Sequence, residues 1–399
     1  MRPTPLALVS LIAATVGAAA VLAVGKAAGW IGDGRTKTIV VRASGDRGTA
    51  APVVAAKPLA GNGFQPAQIY RTRAGGVVTI FAFFGDSTSP TARAGQGSGF
   101  VVSRSGVILT NAHVITTAGE TDAGAVRAAD QVFVEFSDHD RVRARVVGWD
   151  LYDDVGVLRV DPKDHPLRPV PLGDSSRVVV GQPVAAIGSP FGNENSLSIG
   201  VVSGTRRSIA SLTSAYDLVD AIQTDAPINH GNSGGPLFDA RGRVIGINAQ
   251  IRSSEGSGFE GVGFAVPIDS AVRTMRQLLA GGRVAYAYVG IKTQDLTPSI
   301  ARRFGYAATH GALVNEVKPN TAAARAGLRP GTDEEQFNGL ELTVGGDAIV
   351  AIDGEPVRSA GDVVRIVSER LTPGEVAHFT VVRGRKRLVL PVRLDERPG

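Results

Sequence analysis

The segment NHGNSGGPLF, residues 229–238, constrains the fold more than any other part of this chain. Two glycines follow Ser233, so the backbone can turn sharply there with no Cβ in the way. Gly231 and Asn232, just before the serine, allow the preceding N–H groups to point inward. Such a turn exposes the serine hydroxyl and presents backbone donors to a developing oxyanion. Glycine-rich turns around a serine are common, but the longer run GNSGGPL is much more specific and predicts a nucleophilic serine.

A histidine suited to this serine lies upstream, in GVILTNAHVI (106–115). The strand-like run 107–109 leads into a turn of small residues that ends at His113. A histidine delivered by a rigid strand end can act as a general base, because its pKa lies near neutrality. Taken alone, His113 would more simply be a structural histidine. The other histidines His139, His165, His310 and His378 lie in polar or proline-flanked contexts typical of a surface.

The third residue of such a site is a carboxylate that orients the histidine. Asp154 directly precedes the apolar run VGVLRV (155–160), where a carboxylate needs a buried partner. Its neighbour Asp153 is the alternative. The order His113, Asp154, Ser233 is the chymotrypsin order, and it differs from the orders of subtilisins and α/β-hydrolases. The three residues together predict an acyl-transfer site.

The surrounding sequence is rich in short apolar runs separated by turns, from Val77 to about Pro267. Examples are VVTIFAFF (77–84), QVFVEF (131–136), PVAAIG (183–188) and RVIGINAQI (243–251). This spacing is typical of β-barrels or sandwiches. The first long helix is expected to start near Asp269, with Asp269 or Ser270 as its cap and Gly281 as its stop. Its apolar face is expected to comprise Val272, Met275, Leu278 and Leu279.

Length and composition exclude several classes of protein. The 399 residues suggest two or three folded units, and 43% hydrophobic against 20% charged residues excludes disorder over the whole length. With no cysteine, the chain has no disulfide, thiol nucleophile or iron–sulfur cluster. The net charge of +5 arises between Lys26 and Arg73, so we expect no nucleic-acid partner. Without an HExxH motif, a helical histidine pair or a nucleotide loop, we expect neither metal nor cofactor.

The amino terminus predicts a membrane anchor. Residues 6–25 carry no charge and are long enough to cross a hydrocarbon core of ~30 Å. We therefore expect an anchor over residues 1–25, followed by a flexible linker over 26–65. A long signal peptide cut near Ala18–Ala20 is the alternative. Basic residues flank the segment on both sides, and the positive-inside rule alone would place the body of the protein in the cytoplasm.

Four segments together resemble one family. They are GSGFVVSRSGVILTNAHVI (97–115), DDVGVLRV (153–160), QTDAPINHGNSGGPLFD (223–239) and GVGFAVPID (261–269), and they are similar to the HtrA (Deg) family of trypsin-like serine endopeptidases. The resemblance runs from about Ile69 to the C-terminus. It implies an all-β trypsin-like double β-barrel protease domain over 66–281 and an α+β PDZ domain over 282–397. It also implies a homotrimer in the bacterial cell envelope, held by one membrane pass with both domains on the extracytoplasmic side. Gly156 departs from the alanine usual in the family, and either residue is expected to pack.

The resemblance also assigns the protease site. It carries the catalytic triad over to His113, Asp154 and Ser233, and it implies the backbone N–H groups of Gly231 and Ser233 as oxyanion donors. In trypsin-like folds the base of the S1 pocket lies six residues before the nucleophile. The pocket residues implied here are Pro227, Ile228, Gly263, Phe264 and Ala265. None of them is acidic, so we expect small or medium apolar P1 residues such as Val, Ala, Ile or Leu.

The C-terminal third resembles a PDZ domain of the same family, on YAYVGIKTQDLTPSIARRFG (286–305) and GGDAIVAIDGEPVRSAGDVVRIV (345–367). The turn Tyr288-Val289-Gly290-Ile291 matches the family's carboxylate-binding turn, although it is also compatible with the ordinary start of a strand. Short helices are expected after Thr297, Thr321 and Ser359. Residues 332–343 are an insertion that either alters peptide access or lengthens a surface loop.

The function implied is an ATP-independent serine endopeptidase that cleaves unfolded or damaged envelope proteins and recognises peptide C-termini at its PDZ domain. The first alternative is a substrate-binding scaffold or chaperone with minor proteolysis, against which the intact triad argues. The second is an esterase that uses the same nucleophile.

Overall fold

Short apolar strands between residues 77 and 267 form two closed barrels. In the computed structural model, the described residues are 63–85, 93–118, 125–189, 196–211, 213–214, 217–229, 231–249 and 261–398. All of them belong to the unit Ala60–Gly399. The anchor expected over 1–25 and nearly all of the linker expected over 26–65 lie outside these ranges. Within the described ranges, no helix has both the length and the apolarity needed to span a membrane.

The first barrel contains six antiparallel strands in the closed order β1-β2-β3-β6-β5-β4. Alternate residues of each strand face inward, where Ile80, Ile108 and Leu158 form part of a buried core. Its strands are β1 (Val77–Phe84), β2 (Arg93–Val101), β3 (Val107–Thr110), β4 (Gln131–Glu135), β5 (Arg141–Asp150) and β6 (Val155–Arg159). The helix α1 (Pro66–Arg73) precedes the barrel, and the single-turn helix α2 (Ala112–Ile115) follows β3.

The second barrel repeats this closure with the order β10-β11-β12-β9-β8-β7. Its strands are β7 (Pro183–Gly188), β8 (Ser196–Ala210), β9 (Asp217–Thr224), β10 (Pro236–Phe238), β11 (Val244–Ala249) and β12 (Gly263–Pro267). One apolar cluster joins the two barrels, because Phe100 and Leu109 of the first pack with Ile187, Phe238 and Ile247 of the second. The barrels therefore meet along a dry seam, and residues at strand ends on this seam are held rigidly.

The helix α3 (Ile268–Gly281) packs its apolar stripe against the seam cluster. The expected cap was wrong: Pro267 occupies the N-cap position without a side-chain bond, and the helix begins at Ile268. Gly282, with φ of 72°, forms the left-handed C-cap. Leu279 was also wrongly assigned to the buried face, since it is 38% exposed. Leu279 lies about 100° around the helix axis from the buried Leu278, which places it at the edge of the buried stripe.

The C-terminal part forms a separate sheet with its own core. The main path of this sheet is β14-β15-β18-β20-β21, with β19 added beside β18. The bounds are β13 (Ala287–Tyr288), β14 (Ile291–Leu296), β15 (Gly311–Val317), β18 (Ala348–Ile352), β19 (Glu355–Pro356), β20 (Val376–Arg383), β21 (Lys386–Arg393) and β22 (Asp395–Glu396). β13 pairs with β22, so the start and the end of this part lie side by side.

Three helices accompany this sheet: α4 (Pro298–Phe304), α5 (Ala322–Ala326) and α6 (Ala360–Arg370). The helix starts predicted at Thr297 and Ser359 are confirmed, because each hydroxyl accepts the backbone N–H of the residue three positions later, Ile300 and Asp362. Thr321 occupies the N-cap of α5 without capping it. The Ala322 N–H instead donates to the Asp395 carboxylate at 2.7 Å.

The insertion expected at residues 332–343 is a β-hairpin. Its strands are β16 (Asp333–Phe337) and β17 (Leu340–Val344), which pair only with each other among the described strands. Asn338 and Gly339 at the tip have φ of 51° and 76°, as a tight hairpin turn requires. The Phe337 ring packs edge-on against Phe304, so the hairpin is attached to α4.

Candidate active site

His113 is placed by the end of a fully buried strand. All four residues of β3 are buried, and the chain enters the short helix α2 two residues after the strand ends. The His113 Nδ1 lies 2.7 Å from Asp154 Oδ2, and the His113 backbone N–H donates to Asp154 Oδ1 at 3.0 Å. Because one carboxylate contacts the same residue through both oxygens, it fixes the position and the tilt of the imidazole ring.

Asp154 reaches His113 from the turn between β5 and β6. Its φ of 51° is left-handed, which is uncommon for a residue with a side chain. The backbone is held there because the Asp154 carbonyl accepts from Asn111 Nδ2 at 2.8 Å and from the Ala112 N–H at 3.2 Å. The carboxylate of Asp153, the alternative, lies instead 3.5 Å from Arg273 Nη2. The structure therefore brings Asp154, and not Asp153, to the histidine.

The environment of His113 favours its role as a proton acceptor. Burial by itself lowers the pKa of His113, but the charge of Asp154 and its hydrogen bond outweigh burial and raise the pKa above the ordinary 6.5. An imidazolium formed at this position is therefore stabilised by the carboxylate on its Nδ1 side. This is the arrangement by which an acid residue supports a histidine base.

Ser233 lies in a turn that is fixed against the first barrel. The Ser98 N–H donates to the Ser233 carbonyl at 2.8 Å, and the Gly234 N–H donates to the Asn248 carbonyl at 2.9 Å. A Cβ on Gly234 would lie 2.2 Å from the Ser98 carbonyl oxygen and 2.3 Å from Thr110 Oγ1. The turn thus presses on β2 and on the end of β3, three residues before His113.

The hydroxyl of Ser233 is buried without a partner. The residue is 4% exposed, and its Oγ accepts or donates no hydrogen bond among the described residues, His113 included. A buried hydroxyl without a partner is costly, so its presence at this turn needs a functional reason. In enzymes without substrate, the bond between nucleophile and base is often long and tightens only when substrate binds.

The backbone before Ser233 is braced by Ser98, which sequence reasoning did not single out. Ser98 Oγ donates to the Gly231 carbonyl at 2.5 Å and accepts from the Ser189 N–H at 2.9 Å. Gly231 has φ of 98°, a conformation suited to glycine. Asn232 is also anchored, because its N–H donates to the Asn229 carbonyl at 3.0 Å. The signal for Ser98 in the sequence is weak: it lies between two glycines in GSGF.

The residues expected to line an S1 pocket lie on two neighbouring segments. A Cβ on Gly263 would lie 2.7 Å from Ile228 Cγ1, so β12 and the segment before the nucleophile touch here. Pro227 is exposed, and its carbonyl accepts from Asn232 Nδ2 at 3.3 Å. Phe264 packs in the seam cluster and Ala265 in the core of the second barrel. The side chains of Phe264 and Ala265 therefore face opposite sides of β12.

The turn expected to bind a carboxylate joins β13 to β14. Gly290 has φ of 82°, and a Cβ there would lie 2.4 Å from the Thr321 side chain. The Val289 carbonyl accepts from the Ala323 N–H at 2.9 Å and the Gly290 carbonyl from the Lys318 N–H at 2.8 Å. Among the described strands, β14 lies at one end of its sheet and pairs only with β15. Its other edge is therefore available for an added strand.

Known proteins share this combination of domains. Residues 97–247 match the trypsin-like peptidase domain family, and residues 287–394 match the PDZ domain family. The solved structure of the HtrA-type protease AlgW with tripeptide is 32% identical with a TM-score of 0.67, and the match covers 84% of this chain and 98% of that one. This chain belongs to the HtrA family.

Curated relatives of this chain are also named as proteases. A probable periplasmic serine endoprotease DegP-like of Pseudomonas putida is 38% identical over 302 residues, which are 76% of this chain and 56% of that protein. Protease Do-like 1, chloroplastic, of Arabidopsis thaliana is 39% identical over 304 residues, 76% of this chain and 64% of that protein. The chain thus spans little more than half the length of these HtrA relatives. The expected trypsin-like double barrel and PDZ fold are confirmed.

One expectation about the HtrA pattern was wrong for this chain. Gly156 was expected to be interchangeable with the alanine usual in the family. A Cβ at Gly156 would lie 2.7 Å from Ile115 Cδ1 and 2.9 Å from the Asn111 carbonyl oxygen. Because this carbonyl belongs to the backbone that leads into His113, an alanine side chain would push directly on the segment that positions the histidine. Among the described residues, no group of three or more His, Asp or Glu side chains is arranged to hold a metal ion.

Proposed function

We propose that this chain is a serine endopeptidase in which His113, Asp154 and Ser233 act as the catalytic triad. The observation that carries the proposal is the Asp154 carboxylate bonded twice to His113. The buried, unpartnered Ser233 hydroxyl, set against the residues that lead into His113, supports it. The HtrA relatives are named endoproteases, which favours proteolysis over the scaffold or chaperone function.

The reaction follows from these positions. Ser233 Oγ attacks the carbonyl carbon of the scissile peptide bond while His113 Nε2 takes the hydroxyl proton, and a tetrahedral intermediate forms. Collapse of the intermediate breaks the C–N bond, and His113 gives the proton to the leaving amine. Water then attacks the acyl-enzyme with the same help from His113 and releases the acid. Throughout, the Asp154 carboxylate accepts a hydrogen bond from His113 Nδ1–H, which keeps that proton on the ring and stabilises the imidazolium.

The N–H groups of Gly231 and Ser233 are proposed as the donors to the oxyanion. Ser98 supports this role, because its hydrogen bond to the Gly231 carbonyl fixes the backbone between the two donors. Each such donor is worth about 10²–10³ in kcat in known serine proteases.

Specificity is proposed for small or medium apolar P1 residues. The contact between Gly263 and Ile228 supports this, because both are apolar and none of the residues expected to line the pocket is an acid; the nearby Asp225 carboxylate accepts from the Val201 N–H instead. A peptide library with P1 varied tests this, since preferred cleavage after Arg or Lys would contradict it.

Peptide C-termini are the proposed ligands of the turn Tyr288-Val289-Gly290-Ile291. AlgW, the HtrA neighbour, was solved with a tripeptide and with a decapeptide. In this chain the turn leads into β14, whose outer edge can accept a peptide as an added strand. We also propose a homotrimer in the cell envelope, anchored through residues 6–25 and acting on unfolded proteins. The periplasmic naming of the relatives supports the location.

The decisive experiment pairs two serine variants in the full chain. Ser233→Ala should lose labelling by a fluorophosphonate probe and lose casein cleavage while its melting temperature stays close to wild type. Ser105→Ala is the matched control, since Ser105 is an exposed serine whose hydroxyl lies near only Ser103. Cleavage or labelling by Ser233→Ala at the wild-type rate would refute the proposal. Binding of unfolded casein without any labelling of the wild type would favour the scaffold function.

A further inference from the structure

A second carboxylate holds the turn that carries Asp154. Asp150, the last residue of β5, is buried, with 5% of its surface exposed. Its Oδ2 accepts from the Asp153 N–H at 3.0 Å, and its Oδ1 accepts from the Tyr152 N–H at 3.3 Å. One side chain therefore fixes two of the four residues between β5 and β6.

The third donor to Asp150 comes from far along the chain. The Tyr286 hydroxyl donates to Asp150 Oδ2 at 2.5 Å, across a separation of 136 residues. Tyr286 lies between α3 and β13, in the segment that joins the barrels to the PDZ domain, and it is 3% exposed. Its ring packs edge-on against Tyr152, with centroids 5.4 Å apart.

The C-terminal end of the PDZ domain also holds Tyr286. The Arg397 N–H donates to the Tyr286 carbonyl at 2.9 Å, and the Arg397 guanidinium lies over the Tyr286 ring, 5.1 Å from its centroid. Because β13 pairs with β22, this arginine keeps its place only while the PDZ domain keeps its position. Tyr286 therefore contacts the end of the PDZ domain through its carbonyl and Asp150 through its hydroxyl.

The turn is thus held on two sides. On the inner side, Asn111 and the Ala112 N–H bind the Asp154 carbonyl. On the outer side, Asp150 binds the turn and Tyr286 binds Asp150. A left-handed residue such as Asp154 keeps its conformation only where its surroundings over-determine it.

We propose that Tyr286 is a positioning residue for the Asp154–His113 pair and acts through Asp150. This inference rests on the proposed triad. Its consequence is that the position of the Asp154 carboxylate depends on the Tyr286 hydroxyl, which lies outside both barrels.

The surroundings of Tyr286 and Asp150 keep the Tyr286 hydroxyl protonated, so that it remains a hydrogen-bond donor. Burial, followed by the charges of Asp153 and Asp150, raises the pKa of Tyr286 well above its ordinary 10, so the phenol stays protonated under assay conditions. Asp153 faces Arg273 of α3, and the same guanidinium donates to the Glu369 carbonyl of α6 at 3.3 Å. Burial, followed by the charge of Asp153, raises the pKa of Asp150 to about 7, and among the described residues the Tyr286 hydroxyl is its side-chain hydrogen-bond partner.

The test is Tyr286→Phe in the full chain, with Tyr306→Phe as the matched control. Tyr306 also loses one hydrogen bond, from the Gly345 N–H, but within the PDZ domain. Tyr286→Phe should lower kcat on a peptide substrate about tenfold per titrated active site and leave KM unchanged, because a bond to a carboxylate is lost far from the substrate. The acid limb of its kcat/KM profile should move to lower pH, since a displaced Asp154 no longer raises the pKa of His113. Tyr306→Phe should keep the wild-type kcat and acid limb.

A role in folding alone would give a different result. Tyr286→Phe would then have a lower melting temperature, but its titrated sites would turn over at the wild-type rate with an unmoved acid limb, and the inference would be overturned. Equal losses of kcat in both variants would overturn it as well. If the wild-type chain took up no fluorophosphonate at Ser233, the proposed function would fail first, and this result is distinct from either of the others.

Discussion

Replacing Gly234 with alanine tests whether the nucleophile turn depends on its close contact with the first barrel. Gly234 has φ of 84°, and an added Cβ would overlap the Ser98 carbonyl oxygen and Thr110 Oγ1 at 2.2 and 2.3 Å. Gly282 is the matched control. Its φ is 72°, and nothing lies within 4 Å of an added Cβ.

The two substitutions share one cost and differ in another. A left-handed conformation costs a residue with a side chain about 1–2 kcal/mol, offset by about 0.4–1 kcal/mol because alanine has less freedom than glycine when unfolded. Gly282→Ala should therefore lower the free energy of unfolding by about 1 kcal/mol. Overlap with buried groups adds about 1–3 kcal/mol, so Gly234→Ala should lose about 3 kcal/mol. The Ser98 carbonyl is backbone in a paired strand and cannot rotate away as a side chain would.

Urea unfolding followed by circular dichroism measures both losses, and fluorophosphonate labelling measures the site. In Gly234→Ala, the probe should label Ser233 at least tenfold more slowly, because an increase of about 1.4 kcal/mol in the activation free energy slows a reaction tenfold. The labelling is measured without urea, at a temperature where both variants are folded. Gly282→Ala should label at the wild-type rate. Equal stability losses in the two variants, or a wild-type labelling rate in Gly234→Ala, would refute the described seating of the turn.

Three further predictions concern the histidine, the brace and the domain interface. Because the pKa of His113 is raised above 6.5 and the base must be neutral, kcat/KM should fall as the pH drops through a value above 6.5. Asp154→Ala should move this acid limb of the pH profile to lower pH, and an unmoved limb would contradict the pairing of His113 with Asp154. Ser98→Ala should slow acylation about tenfold with KM unchanged, since the Gly231 carbonyl loses its donor; a peptide-substrate assay at saturating and limiting concentrations measures both parameters. Burial, then the charge of Asp220, raises the pKa of Glu369 to about 7, so its charged form is disfavoured only in the folded state, and stability is lost as pH rises from 4.5 through 7. The other charges that face Glu369 are Arg273, Arg365 and Asp153. Glu369→Gln should therefore raise the melting temperature at pH 8 and leave it nearly unchanged at pH 5. An equal rise at both pH values would contradict the raised pKa of Glu369.

The strands could be predicted from the sequence because their signal is local. The run VVTIFAFF coincides with β1 (Val77–Phe84), and PVAAIG coincides with β7 (Pro183–Gly188). Alternation and turn residues need only neighbours along the chain to be read. The start of α3 was predicted wrongly because it does not depend on local signals alone. Asp269 and Ser270 are good caps by residue type, but β12 continues to Pro267 and the helix follows it directly.

The residues of the proposed triad lie in recognisable motifs, whereas the residues that support them do not. Ser98 binds Gly231 across 133 residues and Tyr286 binds Asp150 across 136. Such bonds exist because two closed barrels and a following domain bring distant segments together, and no spacing along the chain encodes them. A buried serine or tyrosine hydroxyl also has many possible partners, so composition alone does not choose among them.

The choice between Asp153 and Asp154 shows what the turn accomplishes. Both are acids in the same four-residue turn, and the residues around them separate their roles only by the direct contact of Asp154 with the apolar run 155–160. Positive φ at Asp154 directs its carboxylate to His113, while the carboxylate of Asp153 meets Arg273 of α3. The same arginine contacts the backbone of α6 in the PDZ domain. One of two adjacent carboxylates thus faces His113 of the proposed catalytic site and the other faces the domain interface, and because both lie in one short turn, a shift of either displaces the other.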